Sequence, residues 1–307
     1  MSDYAVIIAA RNSSYRLPGK AMVSYCPDGT PNLEQIVRRW QRSDREPTVI
    51  VSTSDGEIDQ PVAALCRQMG VPVYLAPEPD VLRREVLGQL HGALEAFAPG
   101  AHWIARATTD NPLVDVGLTD WRLDVLRETG ADGLIYSGDL SRITYAGTTD
   151  IYSRAAWDRI VVGSSGSQRE HPGVYFWENL HQFEHVAIPL PRAEYLAPIR
   201  TELDNEQDLQ MLKMLWLHRD LPRGFIPTLT ALQWLIAHPK VAAVNADVPT
   251  LTQSKPAYPK GKPWLCGKCQ KRAGQIVAGD LVLHCGGCGR KLKWYSRNPA
   301  RKMSSVA

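Results

Sequence analysis

Apolar runs and amphipathic stretches alternate along most of the chain. The run from Tyr4 to Ala9 is continuously apolar and rich in β-formers, which predicts a strand buried on both faces. The segment from Leu33 to Arg42 carries its apolar residues at helical spacing, and further strand-like and helix-like segments follow in turn. Repeated β-loop-α units predict an α/β fold, in which a mostly parallel sheet carries helices on both faces.

The loop after the first predicted strand carries three cations, Arg11, Arg16 and Lys20, within ten residues. Ligands of open α/β sheets bind at the carboxyl ends of strands, and arginine and lysine are the side chains that hold phosphate oxygens. Small residues such as Ser13 let backbone N–H groups turn toward an anion. The loop lacks the Walker pattern GxxxxGK[ST]. An ordinary solvated loop would have the same composition, but the position after a buried strand favours phosphate binding.

Five segments, in order, resemble one family. Arg11 to Lys20 resembles the R-x-x-S-x-R-L-P-G-K signature of the cytidylyltransferases that make CMP-activated acidic sugars, in a branch linked to spore-coat polysaccharide synthesis and related to the Kdo and acylneuraminate enzymes. The other four segments are Glu78 to Arg84, Arg106 to Asp115, Arg169 to His171 and Leu203 to Leu209. The resemblance covers residues 1 to about 247. It implies a Rossmann-like, GT-A-like nucleotidyltransferase fold.

The chain also departs from the family pattern. Thr109 stands where the family usually has glycine, and Asn205-Glu206 replaces Thr-Pro. Pro172-Gly173 follows the histidine of the fourth segment, where the family often has Val-Thr. The first two departures lie beside expected metal ligands, and the third bears on the choice of acceptor.

The resemblance implies that a sugar hydroxyl attacks the α-phosphorus of CTP and releases pyrophosphate. The main physical demand is charge neutralisation on the triphosphate. Arg11, Arg16 and Lys20 would hold the β- and γ-phosphates, while backbone groups near Ala9 and Ala10 would read the base. The residues expected to bind the nucleotide are therefore Ala9, Ala10, Arg11, Ser13, Arg16, Lys20 and Asp110.

The resemblance also implies that Asp110 and Asp204 ligate Mg²⁺, for which carboxylates are suitable hard ligands. With Arg11 and Lys20 they form the expected catalytic set. Each aspartate has a simpler interpretation. The hydrophobic pattern predicts a helix from Asp204 to His218, so Asp204 could be its N-cap. Asp110 could be a turn residue before Asn111-Pro112.

The expected acceptor residues are Arg106, Arg169, Glu170 and His171. Arg169 could pair with a sugar carboxylate through two hydrogen bonds, and His171 could orient or deprotonate the attacking hydroxyl. Arg106 could reach the substrate from the end of its strand, or pair with a neighbouring acid. Equally, Glu170 and His171 could be loop residues linked to each other.

Four cysteines near the C-terminus form two C-x-x-C pairs separated by fifteen residues: Cys266, Cys269, Cys285 and Cys288. This spacing indicates a closed, structural Zn²⁺ site in a zinc ribbon, with hairpin strands from Gln275 to Val277 and from Leu281 to His284. We therefore predict three parts: a nucleotidyltransferase domain at 1–248, a linker at 249–263, and a zinc ribbon with a basic tail at 264–307.

Charge divides the chain in the same way. From Lys255 to Ala307 there are twelve Lys/Arg and one acid, a net of +11, whereas the first 254 residues have a net of −8. The basic ribbon could bind DNA or RNA, which gives an alternative function: a nucleic-acid-associated, nucleotidyltransferase-like protein. It could equally dock on the acidic body or on a partner protein.

No apolar run approaches the roughly 20 residues that a membrane span needs. The first ten residues look like a strand rather than a signal peptide. We therefore expect a cytoplasmic protein that does not bind membranes. Relatives in the resembling family are commonly dimers, so a homodimer is expected.

Overall fold

The computed structural model describes residues 2–77, 85–137, 149–189, 192–218, 221 and 224–248, and the backbone of three short strands beyond them. The main sheet has seven strands: β1 Tyr4–Ala9, β2 Thr48–Ser54, β3 Val73–Ala76, β4 Trp103–Thr108, β5 Gly133–Ser137, β6 Asp150–Ser153 and β7 His185–Pro189. The described α-helices are α1 Asn32–Trp40, α2 Gln60–Gln68, α3 Val86–Phe97, α4 Val116–Thr129, α5 Arg154–Gly163, α6 Ser167–Glu170, α7 Val174–Glu178, α8 Glu206–Leu217, α9 Thr228–Ala237 and α10 Pro239–Ala242.

The strand order is β3-β2-β1-β4-β6-β5-β7. Strands β1 to β4 run parallel to one another, and β5 is parallel to β7. Only β6 runs against its neighbours β4 and β5 in this sheet. The predicted α/β fold with a mostly parallel sheet is confirmed.

Both faces of the sheet are covered. On β1, Tyr4, Val6 and Ile8 belong to one apolar cluster, which includes Leu33 and Trp40 of α1. The alternate residues Ala5 and Ile7 belong to a second cluster on the opposite face, with α3 and α5. Burial on both faces explains why this strand is continuously apolar.

A third apolar cluster brings the loop after β1 against the C-terminal helices. Leu17 and Tyr25 pack with Leu113 and with apolar residues of α8 and α9, among them Leu212. Residues far apart in the sequence therefore share one core beside the carboxyl edge of the sheet. None of the described helices is long and apolar enough to cross a membrane.

Side-chain caps set the first residue of two helices. Helix α4 begins at Val116 because Asp115 caps it, accepting a 2.9 Å hydrogen bond from the N–H of Leu118. Helix α8 begins at Glu206, not at Asp204, because Asn205 is its N-cap and accepts from the N–H of Asp208 at 3.0 Å. The sequence pattern did not predict strand β5.

Three further strands, β8 Ala273–Ile276, β9 Val282–Cys285 and β10 Lys291–Lys293, form an antiparallel sheet in the order β10-β9-β8. The first two overlap the predicted hairpin. Cys266, Cys269, Cys288 and the linker 249–263 lie outside the described residues. The zinc site and the domain boundaries therefore stay predictions.

Candidate functional site

The loop after β1 and the loop after β4 lie side by side, because these strands are parallel neighbours whose last residues pair, Ala9 with Thr108. The N–H of Ala10 donates to the carbonyl of Ser52 at the end of β2, at 2.9 Å. A base reading this loop would therefore have to displace that hydrogen bond or use other backbone groups. The carboxyl ends of three neighbouring strands converge here, as expected for a ligand site.

The loop that carries the cations is closed by its own backbone. The N–H of Gly19 donates to the carbonyl of Asn12 at 2.9 Å, and that of Lys20 donates to the carbonyl of Leu17 at 3.1 Å. Gly19 has a φ of 72°, a left-handed conformation that favours glycine. These hydrogen bonds fix the backbone turn on which Lys20 lies.

Two buried polar residues that the sequence did not reveal anchor this loop. Asp59 accepts from the N–H of Asn12 at 2.6 Å and from the hydroxyl of Ser54. Asn32 donates to the carbonyls of Lys20, at 3.1 Å, and Thr109, at 2.7 Å, and so ties the two loops together. Each residue stands at the start of a helix, where such residues normally cap locally, so their sequence context hides the long-range role.

The carboxylate of Asp204 contacts three cationic side chains. Lys20 Nζ lies 2.9 Å from Asp204 Oδ1, and Arg16 Nη2 lies 3.0 Å from Asp204 Oδ2. Arg200 Nη2 approaches Oδ2 from the other side at 3.4 Å. The structure therefore brings together residues that the sequence separates by more than 180 positions. The N-cap interpretation of Asp204 is wrong, because Asn205 fills that position.

The cations set the ionisation of this cluster. Burial alone would raise the pKa of Asp204, but the charge and hydrogen bond of Lys20, with Arg16 and Arg200, bring it below its ordinary value. Burial raises the pKa of the neighbouring Glu202 to about 7, with Arg200 opposing and three nearby aspartates adding to the rise. Asp204 is thus a stable anion.

Asp110 lies next to Asp204 through the backbone, since the N–H of Leu203 donates to the carbonyl of Asp110 at 2.9 Å. Its carboxylate accepts from the hydroxyl of Thr108. In the part of the chain that the structure describes, no group of three or more metal-binding side chains occurs. A pair of carboxylates fits Mg²⁺ that keeps waters and also binds substrate phosphates.

Two other residues predicted to bind the nucleotide are at least partly open to solvent. Arg11 is exposed, and Ser13 is partly buried; both lie on the same loop as Lys20. Their predicted roles remain predictions, as do those of Ala9 and Ala10. The segment Glu78 to Arg84 lies outside the described residues.

Among the residues expected to bind the acceptor, Arg106 and His171 are close enough to interact electrostatically. Asp150 of β6 stands directly opposite Arg106 in the sheet register. Burial lowers the pKa of His171; Arg106 adds to the decrease and Glu170 opposes it. The Nε atom of Arg106 is buried without a hydrogen-bond partner among the described residues, which makes this guanidinium a candidate anion ligand.

Arg169 is placed differently. Its Nε lies 2.7 Å from both carboxylate oxygens of Glu85, and its Nη1 donates to the carbonyls of Val161 and Ser164 at 3.1 and 3.3 Å. A substrate carboxylate would have to compete with these contacts. Its predicted substrate role, and that of Glu170, remain predictions.

The structure explains the departures from the family pattern. Thr109 needs no glycine, because Glu46 is the only non-glycine residue with a positive φ in the described ranges. Asn205 caps α8 by itself. Gly173 has a φ of 107°, and a Cβ there would lie 2.7 Å from the hydroxyl of Tyr152 and 3.1 Å from Asp150 Oδ2. A side chain at position 173 would therefore strain the backbone and displace Tyr152 or Asp150.

The α/β fold, with a cation-bearing loop at the carboxyl edge of its sheet, is the architecture expected of a nucleotide-binding protein. Residues 5–217 match the cytidylyltransferase family model, so the chain belongs to the cytidylyltransferase family, which is a family of nucleotidyltransferases. The resemblance seen in the sequence is confirmed at this level.

The chain is also similar to two known proteins and to a solved structure. An uncharacterized protein of Methanocaldococcus jannaschii is 26% identical over 242 residues, which cover 79% of this chain and 94% of that protein. The spore coat polysaccharide biosynthesis protein SpsF of Bacillus subtilis is 36% identical over 138 residues, 43% of this chain and 53% of that protein. A cytidylyltransferase structure from Leptospira borgpetersenii superposes with a TM-score of 0.67 at 21% identity, over 79% of this chain and 97% of that one, which shows the common fold.

Proposed function

We propose that this protein transfers CMP from CTP to a sugar acid of the 2-keto type, with Mg²⁺ as cofactor. The observation that carries the proposal is the convergence of Arg16, Lys20 and Asp204 beside Asp110 at the carboxyl edge of the sheet. CTP is proposed as the nucleotide because the chain belongs to the cytidylyltransferase family. Arg16 and Lys20 are proposed to neutralise the charge of its phosphates.

In the proposed reaction an acceptor hydroxyl oxygen forms a bond to the α-phosphorus of CTP. The bond from that phosphorus to the bridging oxygen of the β-phosphate breaks, and pyrophosphate leaves with the bond's electrons. Little covalent chemistry is asked of the protein, so positioning and electrostatic stabilisation dominate. In this proposal Lys20 and Arg16 stabilise the leaving pyrophosphate.

These cations must first leave Asp204. The carboxylate of Asp204 holds both cations in the structure, as phosphate oxygens would hold them in the proposed nucleotide complex. A triphosphate would replace Asp204 as their partner, and Asp204 would then be available with Asp110 to hold Mg²⁺. The ion would supply charge neutralisation on the phosphates.

On the acceptor side, Arg106 is proposed to bind the carboxylate of the sugar acid. His171 is the candidate to take the proton of the attacking hydroxyl, since its lowered pKa keeps the imidazole neutral near pH 7.

The test is pyrophosphate release from CTP, Mg²⁺ and a panel of acidic sugars. Release with at least one 2-keto sugar acid, lost in Lys20→Met and retained in Asp158→Asn, is expected. Asp158 is a suitable control because, among the described residues, it forms an ion pair only with Arg154, on the exposed side of α5. No release from any nucleoside triphosphate across a broad sugar panel would refute the proposal.

A further inference from the structure

Behind Asp204 lies a second layer of polar residues that the proposed reaction does not use directly. Asp208 Oδ2 accepts from the N–H of Asp204 at 2.9 Å and from Arg200 Nη2 at 3.0 Å. Its other oxygen, Oδ1, accepts from Arg200 Nε and from Asn245 Nδ2, both at 2.8 Å. The carboxylate of Asp208 thus has two donors on each oxygen, which accounts for about four lone-pair sites.

This layer is buried. Asp208 and Asn245 have no exposed surface, and the side chain of Arg200 is 7% exposed. Hydrogen bonds in such surroundings are poorly screened, and leaving one partner unpaired is costly. Asp208 cannot turn toward a ligand without abandoning these bonds, so any influence it has on the reaction passes through Asp204.

Asn245 comes from a part of the chain that is distant in sequence. It ends the short 3₁₀ turn Ala243–Asn245 that follows α10, 37 residues after Asp208 and beyond residue 217, where the family match ends. Its side chain also donates to the carbonyl of Arg200 at 3.2 Å. One buried amide therefore reaches both members of the pair that contacts Asp204.

The contacts of Asp204 with Lys20 and Arg16 explain why supporting residues behind it are needed. Lys20 and Arg16 hold the carboxylate of Asp204 in the structure, and in the proposed reaction a triphosphate takes both cations from it. The contacts that then remain to fix Asp204 are those from Arg200 and, through its N–H, from Asp208. Residues that orient a ligand in this way tune metal binding without touching the metal.

We propose that Asn245 is a positioning residue. Together with Asp208 and Arg200 it holds Asp204 in the orientation that binds Mg²⁺ once the nucleotide has taken Lys20 and Arg16. This inference rests on the proposed function, because it needs a Mg²⁺-dependent nucleotide complex.

The experiment measures CTP affinity by calorimetry with and without Mg²⁺, on the full chain carrying Asn245→Ala or Asn245→Ser. For Asn245→Ala, the Mg²⁺-dependent gain in CTP affinity is expected to fall by about tenfold, as is common when a supporting contact of a metal ligand is lost. Affinity without Mg²⁺ is expected to stay within about twofold, since Lys20 and Arg16 are untouched. Asn245→Ser keeps a small donor, so it should fold more readily and show a smaller loss.

The matched control is Ser153→Ala. Ser153 is also buried, and it donates to Asp132 at 2.6 Å at the opposite end of β4, so its loss should lower the melting temperature without altering the Mg²⁺-dependent gain. If the Asn245 variants only lower the melting temperature, as Ser153→Ala does, the positioning role is refuted. If the unaltered protein shows no Mg²⁺-dependent gain in CTP affinity, the proposed function fails, and this inference fails with it.

Discussion

The two sides of the site differ in how their charged groups are satisfied. On the nucleotide side, Lys20, Arg16 and Arg200 all contact the carboxylate of Asp204. On the acceptor side, Arg106 Nε is buried without a hydrogen-bond partner among the described residues. A paired cation has to be released before it binds a ligand, whereas a buried unpaired donor gains from any anion that reaches it. On the proposed nucleotide side the cations are thus neutralised by Asp204, whereas on the proposed acceptor side Arg106 Nε is a donor that an anion would satisfy.

The largest effect is expected from Asp110→Asn, which should lower pyrophosphate release by about 100-fold or more, because charge neutralisation dominates phosphoryl transfer. CTP affinity without Mg²⁺ should hardly change, since Asp110 makes no ion pair with the loop cations in the described structure. Steady-state release and calorimetry measure the two quantities. Full activity in this variant would remove Asp110 from the site.

Asp204→Asn separates the two roles of that carboxylate. Turnover should fall steeply, but CTP should bind about fivefold tighter without Mg²⁺, or roughly 1 kcal/mol, because Lys20 and Arg16 no longer have an internal anion to leave. Calorimetry in the presence of a chelator gives this affinity. Asp124→Asn, which breaks a partly exposed pair with Arg45, is the control and should alter neither quantity. Weaker binding of CTP by Asp204→Asn would contradict the competition between carboxylate and phosphate.

Two arginine variants compare Arg106, whose Nε has no hydrogen-bond partner among the described residues, with Arg169, which contacts Glu85. Arg106→Ala should raise the KM for the acceptor about tenfold, since a charge-assisted contact is lost, and leave the KM for CTP unchanged. Arg169→Ala should instead cost about 1–2 kcal/mol of folding stability, because it removes the contacts to Glu85 and two carbonyls. Kinetics and thermal melting measure both. If Arg169→Ala instead raised the KM for the acceptor and Arg106→Ala only lowered stability, the acceptor carboxylate would be assigned to Arg169.

The smallest effect concerns pH. Burial lowers the pKa of His171, with Arg106 adding to the decrease, so the neutral imidazole prevails at pH 7 and is lost only below the ordinary value of 6.5. Acceptor-dependent activity should therefore fall on an acid limb below pH 6.5. Arg106→Gln removes a nearby positive charge, so it should move this limb to higher pH. His171→Gln should abolish the limb. An acid limb that survives in His171→Gln would assign it to another group.

Much of the fold could be predicted from local pattern. Strand β1 was predicted with its observed bounds, because a strand buried on both faces is continuously apolar. Strand β5, Gly133–Ser137, was missed: its five residues begin with a glycine, and its place depends on pairing with β6 and β7. The helix predicted to begin at Asp204 begins at Glu206 instead, because Asn205 caps it.

The candidate site was predictable where a motif carries it. Lys20 and Asp204 stand in segments with a family pattern, and the structure brings them into contact. Asn32, Asp59 and Asn245 were not predicted, since each is an ordinary polar residue with important partners 12 to 77 positions away. Such contacts depend on how the loops pack together, which local sequence does not encode.

Selective binding of CTP is the decisive measurement for the nucleotide side. In the presence of Mg²⁺, calorimetry should show CTP binding more tightly than ATP, GTP or UTP, and Lys20→Met should weaken that binding about tenfold or more, since a charged contact to phosphate is lost. Equal affinity for all four triphosphates, or CTP binding that is indifferent to Lys20, would contradict the proposal that this loop holds the phosphates of CTP.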